Sequence, residues 1–181
     1  MGSSFFVRSC YLQELPAERL VPQETLSELE LEDLADAGLA FSAEKAAMAY
    51  LGRAEQSRHL LAMKLRKKGH GEVAVARALD YLEVRNFLCD SRFAEAWLRN
   101  RSINHAEGRT KLLSGLLAKG VDRSTAIQSL DQYFEVVDQD DLLDRALEKC
   151  RRLGKTVEAT EKYLLRKGFS YKEIKLKMSN I

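Results

Sequence analysis

The chain has 181 residues, is 45% hydrophobic and 31% charged, and carries a formal net charge of +2. That is room for one domain or for an array of small helical units, and it is too apolar for wholesale disorder. No apolar run approaches the roughly 20 residues of a bilayer crossing and no charged-then-apolar leader opens the chain, so a cytoplasmic protein without membrane attachment is expected.

Residues 5–12, Phe5 to Leu12, are β-branched and aromatic enough for a short strand. Pro16 and Pro22 then break the chain, and no proline follows them. From Thr25 or Ser27 the spacing of Leu26, Leu29 and Leu34 predicts a short helix ending at Gly38. This stretch is acidic: residues 1–44 hold two arginines against nine acids, 2 − 9 = −7, and the remainder holds 27 bases against 18 acids, 27 − 18 = +9. We therefore set residues 1–42 apart as an acidic N-terminal segment and read residues 43–181 as a basic body, a balance that suits nucleic acid or an acidic groove.

Ser42 is a plausible N-cap for a helix carrying Ala46, Ala47, Tyr50 and Leu51, with Glu44 in its first turn. Ser57 caps a helix with Leu60, Leu61 and Leu65 that stops at Gly69, and a third helix runs from about Gly71 to Asn86. The order then repeats. Asp90 opens a helix with Phe93, Ala94, Trp97 and Leu98; Gly108 opens one with Leu112 and Leu116; Asp122 or Ser124 opens one with Ile127, Leu130 and Phe134. A last block has Leu142, Leu143, Ala146 and Leu147, then a Thr156-capped helix, then one capped by Ser170 with Ile174 and Met178.

The blocks are in register. Their middle helices stop at Lys68-Gly69, Lys119-Gly120 and Lys167-Gly168, with glycines 51 and then 48 residues apart. A leucine stands four residues before each glycine (Leu65, Leu116, Leu164), and Leu79, Leu130 and Met178 stand ten after; Val75, Ile127 and Ile174 stand six or seven after. A period near fifty residues marks a repeat architecture, and glycine after lysine supplies both the left-handed helix stop and a cation at the negative end of the dipole. The fold predicted is all-α: an elongated tandem array of three three-helix repeats, about 43–86, 90–136 and 139–180, behind the acidic segment. Phe93, Trp97 and Tyr133 are read as packing between helices.

Cys10, Cys89 and Cys150, and His59, His70 and His105, show no ligand or redox spacing. No Gly-rich phosphate loop, nucleophile motif or isolated carboxylate pair stands out either, so no catalytic residue, metal or cofactor is assigned.

The residues resemble a known family. Tyr50-Leu51-Gly52-Arg53-Ala54-Glu55-Gln56-Ser57-Arg58-His59-Leu60, leading to Lys64-Leu65-Arg66-Lys67-Lys68-Gly69, looks like the opening signature of RecX proteins, bacterial modulators of the RecA recombinase. Asp90-Ser91-Arg92-Phe93-Ala94-Glu95, then Arg99 and Arg101, then Gly108 to Val121, is similar to the second signature, and Tyr163 to Ile174 to the C-terminal one. Together they span about residues 46–178. Three positions depart from the pattern: Arg109 where the family usually has proline, Gly115 where it usually has an acid, and His70 where it is normally apolar.

The resemblance implies an all-helical, elongated protein that lies in the groove of the RecA filament on DNA and restrains its ATPase, strand-exchange and co-protease activities without catalysis of its own. A monomer is expected, with the RecA filament as partner and single- or double-stranded DNA as a second contact left open. Candidate contacts are Arg53, Arg58, Lys64, Lys67, Lys68, Arg92, Arg99, Arg101, Arg109, Lys111, Arg151, Arg152, Lys162, Arg166, Lys167, Lys172 and Lys175. Each is weighed against the ordinary role of a charge that solubilises a helix face. The competing reading is a general helical DNA-binding protein with no role specific to RecA.

Overall fold

The computed structural model describes residues 6–21 and 24–179, and these contain nine α-helices and no β-strand. They are α1 (Glu28–Leu51), α2 (Arg58–Lys67), α3 (Glu72–Val84), α4 (Asp90–Asn104), α5 (Arg109–Leu117), α6 (Arg123–Val136), α7 (Gln139–Arg152), α8 (Val157–Arg166) and α9 (Tyr171–Ser179). The class is all-α, in three successive trios. Two compact units hold them: Met1–Cys89 contains α1–α3, and Asp90–Ile181 contains α4–α9.

The middle helix of each trio ends as its sequence predicts. Gly69, Gly120 and Gly168 adopt the left-handed conformation, with φ of +95°, +79° and +87°. In each case the glycine N–H donates to the carbonyl three residues back, and the next N–H donates to the carbonyl of the leucine four before the glycine: His70 to Leu65, Val121 to Leu116, Phe169 to Leu164. This paired pattern satisfies carbonyls that a helix end would otherwise leave open, and it calls for an apolar contact between the two residues it joins. Val121 and Phe169 are buried accordingly. His70 stands at that position in the first trio, half-buried, and burial, followed by the nearby Lys68 charge, lowers its pKa. The same turn closes α3 at Asn86, which is also left-handed, and α7 at Gly154.

Sixth after each glycine comes a residue of the third helix that is fully buried, Val75, Ala126 or Ile174. Ile127, the expected partner in the second trio, lies one position on and is only half-buried. The leucines four before the glycines are each 0% exposed, so stop, leucine and third helix form one repeated packing unit. Ser57, Asp122 and Thr156 cap α2, α6 and α8 through side-chain oxygens that accept backbone N–H groups, as predicted. Ser170 and Glu173 form a reciprocal cap on α9.

The N-terminal region departs from expectation in two ways. The strand over residues 5–12 is absent from the described part of that stretch, which is extended chain and a 3-10 turn at Ser9–Tyr11; Phe5 and Pro22 lie outside the described residues. Within that stretch the N–H groups of Tyr11 and Leu12 are used by the turn, donating to the Arg8 and Ser9 carbonyls, and directly after it the N–H groups of Gln13, Glu14 and Leu15 all donate to the Asp33 carboxylate at 2.9–3.1 Å, so these donors need no neighbouring strand. Burial works against charge on Asp33, yet those three bonds outweigh it and hold its pKa below the usual range. The segment is held further by Arg8, whose guanidinium grips the buried Glu44 through two bonds of 2.6 Å, and by the Tyr11 hydroxyl, which donates to the same carboxylate. Arg77 on α3 donates to the Tyr11 carbonyl.

The second departure is α1, which runs unbroken through both the expected stop at Gly38 and the expected cap at Ser42. It starts at a reciprocal cap of Ser27 and Glu30. A lone interior glycine costs only ~1 kcal/mol, and here it is flanked by alanines that lie against the docked segment and α3. Ala37, Ala40, Ala43 and Ala47 are each 0% exposed, whereas Leu29, Leu31 and Leu39 face solvent. Apart from the buried acids Asp33 and Glu44, the buried face of α1 is thus made of its smallest residues, which lets α3 come close.

In the second unit the second and third trios meet backbone to backbone. The Gly108 N–H donates to the Lys167 carbonyl at 2.8 Å. A Cβ on Gly108 would stand 2.8 Å from the Phe169 nitrogen, and one on Gly168 would stand 2.9 Å from the Lys111 Cα. Gly115 likewise makes room for Trp97, whose Cζ2 would lie 3.0 Å from an added Cβ.

These surroundings separate otherwise equivalent glycines. Gly69 has open space where a Cβ would go, so Gly69→Ala should cost only the left-handed strain of about 1–2 kcal/mol. Gly168→Ala should cost a further ~1–3 kcal/mol because the added carbon meets backbone that cannot yield. Thermal unfolding of the two variants should show the larger loss for Gly168→Ala, and equal losses would refute the close approach.

Candidate binding surface

The seventeen basic residues named from the sequence fall into two groups, those tied to neighbouring groups of the protein and those left to solvent. Arg58, at the first turn of α2, bonds Asp80 at 2.6 Å and Glu83 at 2.5 Å on α3. Burial lowers its pKa, but the Asp80 bond and the two carboxylate charges outweigh that and raise it. Lys64 donates to Gln56 at 2.6 Å and lies over the Tyr50 ring. Arg92 is half-buried and not free. Arg109 pairs with Asp131 and lies over Phe134.

Arg101 and Lys167 share one carboxylate. Glu107, 3% exposed, accepts from Arg101 at 2.6 and 3.1 Å and from Lys167 at 3.2 Å. Burial pushes the Glu107 carboxyl up, but the two hydrogen-bonded cations outweigh it and hold the pKa below the ordinary value. Arg101 also lies 5.4 Å from the Trp97 ring and Lys167 5.8 Å from the Tyr163 ring. This three-residue bridge fastens the α4–α5 loop to the end of α8.

The other group is solvent-facing. In the first unit Arg53 follows α1, and Lys67 and Lys68 end α2; all three are exposed without a side-chain partner among the described residues. In the second unit the same holds for Arg99 on α4, Lys111 on α5, Arg151 and Arg152 at the end of α7, Arg166 on α8 and Lys172 on α9. Lys162 has only a loose contact of 3.9 Å with Glu158, and Lys175 lies over the Tyr171 ring. Two exposed residues absent from the sequence-derived set stand beside this group: Lys149, which is left to solvent, and Arg145, whose guanidinium donates to the carbonyls of Ser102 and Ile103. With Arg152 they recur at i, i+4 and i+7 on α7, a spacing that places all three on one face and is visible in the sequence.

Comparison with known proteins bears on this surface. Residues 43–82 match the sequence profile described as RecX, first three-helix domain. A regulatory protein RecX of Treponema pallidum (strain Nichols) is 37% identical over 130 residues, covering 72% of this chain and 79% of the relative. The chain belongs to the RecX family. Further relatives called regulatory protein RecX include those of Clostridium acetobutylicum, 27% identical over 155 residues (80% of this chain, 71% of the relative), and Halorhodospira halophila, 29% over 150 (78% and 90%). A crystal structure of regulatory protein RecX superposes with a TM-score of 0.75 at 23% identity, covering 90% of this chain and 82% of the other. That of RecX from Lactobacillus salivarius gives 0.65 at 23% identity, with coverage of 78% and 96%. Both share the fold.

At two of the positions noted in the sequence, Arg109 pairs its side chain with Asp131, and Gly115 leaves the space that the Trp97 indole fills. Among the described residues no helix is long and apolar enough to cross a membrane.

The Glu107 bridge gives a pH test. Because its folded pKa is depressed, its stabilisation is complete above the unfolded carboxyl value of roughly 4.3 and is lost as pH falls through the folded value. Glu107→Gln should lower stability by about 2 kcal/mol at neutral pH, and the gap to wild type should close in the acid range. Urea midpoints at pH 7 and on the acid side of the carboxyl range check this; a gap that is unchanged at low pH would mean that charge is not what holds the bridge.

Proposed function

We propose that this RecX-family chain modulates a RecA recombinase, mainly by inhibition, by lying in the groove of the RecA filament on DNA and restraining ATP hydrolysis, strand exchange and co-protease activity. It acts by binding, as a cytoplasmic monomer and without a cofactor. The observation that carries the reading is the division of the basic residues. One set is tied to groups of the protein itself, most of them carboxylates, while Arg53, Lys67 and Lys68 in the first unit and Arg99, Lys111, Arg151 and Arg166 in the second stand exposed and unpaired among the described residues, available to phosphates or acidic side chains of a polymeric partner. Family membership supports the same regulatory setting.

The second reading, a general DNA-binding protein, draws on the same free cations, and the two part on the role of the recombinase. The modulator should slow single-strand-dependent ATP hydrolysis by RecA when added below the recombinase's molar amount. The general binder should slow it only by coating the DNA, so that inhibition disappears as bare DNA is added in excess. Absence of any effect at low salt, with helicity intact by circular dichroism, would dismiss the modulator.

A further inference from the structure

We propose that the cleft between the end of α4, α7 and α8 in the second unit is a phosphate site that takes the backbone of a nucleic-acid strand. It deepens the reading above by naming one ligand and the residues that meet it, and rests on that reading for its biological setting.

The cleft has a volume of about 300 Å³ and is lined by Asn104 and His105 from the end of α4, Arg145, Lys149 and Arg152 from α7, and Lys167 from α8. One acid, Glu148, shares the lining. Lys167 is already paired with Glu107, so the charge left in the cleft is that of Arg145, Lys149 and Arg152 against Glu148, 3 − 1 = +2. So concentrated a positive charge in a concave space is costly unless an anion enters it.

The cations also differ in how they are held. The Arg145 guanidinium donates to the Ser102 carbonyl at 3.2 Å and to that of Ile103 at 3.4 Å, which pins it across the end of α4 with donors to spare. Lys167 is steadied by Glu107. Lys149 and Arg152 have no carboxylate partner among the described residues. Two fixed cations beside two free ones, with the amide of Asn104 and the imidazole of His105 as further hydrogen-bonding groups, suit an anion that accepts from several directions. A phosphodiester does so with its non-bridging oxygens, whereas a protein carboxylate offers two oxygens in one plane. The competing role for Lys149 and Arg152 is complementing the C-terminal end of the α7 dipole, which requires no cleft and no Arg145 or Lys167.

The test uses the full chain and a labelled single-stranded oligonucleotide without recombinase, so that failure here leaves the ATPase result standing on its own. Anisotropy titrations over a series of salt concentrations compare wild type, Lys149→Ala/Arg152→Ala, and Lys45→Ala/Arg123→Ala, which removes the same charge from exposed positions outside the cleft. The cleft variant should bind about tenfold more weakly, with the salt slope reduced by about 1.4, two contacts of roughly 0.7 each; the control should stay near wild type. Helicity by circular dichroism should match in all three.

Binding by the cleft variant equal to the control, or no binding by wild type at low salt, overturns the proposal. So does a cleft variant that binds the oligonucleotide normally yet restrains the recombinase poorly, which would assign the cleft to an acidic protein surface. Inorganic phosphate at matched ionic strength should displace the strand only weakly; efficient displacement would mark a small-anion pocket and overturn the assignment to a backbone.

Discussion

The left-handed glycine that ends the middle helix of each trio is the constraint on which the rest of this structure depends. At Gly69, Gly120 and Gly168 the backbone turns back on itself with the same two hydrogen bonds. A β-carbon would raise the energy of that turn, and a helix that ran on would carry the third helix away from the core. Because the turn is fixed, the residue six positions on always enters the third helix on its buried side, whether it is Val75, Ala126 or Ile174. Side-chain size drifts among the three while backbone geometry does not, and this lets weakly similar segments build one architecture. In the second unit the last of these glycines has a second duty, since its missing side chain admits the backbone of Lys111.

Basic residues then divide between holding the fold and facing outward, and residue type does not say which. Arg101 and Arg99 lie two positions apart on α4, which turns them to different sides of the helix. Arg101 meets the buried Glu107, and Arg99 meets solvent. A buried carboxylate is what recruits a cation inward, since Glu107 without Arg101 and Lys167 would be an uncompensated charge. Glu44 with Arg8 repeats the arrangement in the first unit. Surface candidates are therefore found by first locating the buried acids and subtracting their partners.

This is also where the sequence stops being legible. The helix stops, the caps at Ser57, Asp122 and Thr156 and the leucines before the glycines are local signals, each contained within a few residues, and the structure bears them out. What was missed is non-local or lacks apolar contrast. The burial of Asp33 depends on backbone donors 18–20 residues away, and that of Glu44 on Arg8 and Tyr11, 36 and 33 residues away. Helix α1 hides its register because alanines face inward and Leu29, Leu31 and Leu39 outward, the reverse of the pattern that periodicity detects, so Gly38 and Ser42 look like ends in the sequence. At Gly115 the sequence shows only a weak helix former; the Trp97 ring that requires it becomes visible in three dimensions.

Net charge misleads for the same reason. The total of +2 conceals two unlike units: residues 1–89 hold 11 bases and 13 acids, 11 − 13 = −2, while residues 90–181 hold 18 and 14, 18 − 14 = +4. Exposed charges farther apart than about 8 Å are largely screened at physiological salt, so an approaching strand responds to the nearest few side chains and not to the sum. The acids of the first unit that matter most structurally are already engaged inside the fold, Asp33 by backbone donors and Glu44 by the charge of Arg8. In the second unit, by contrast, Arg145, Lys149 and Arg152 line one cleft with a single carboxylate, Glu148, among them, while Lys167 in the same lining is paired with Glu107. A near-neutral chain can therefore present a strongly cationic site, because its acids and bases are sorted by position before they are summed.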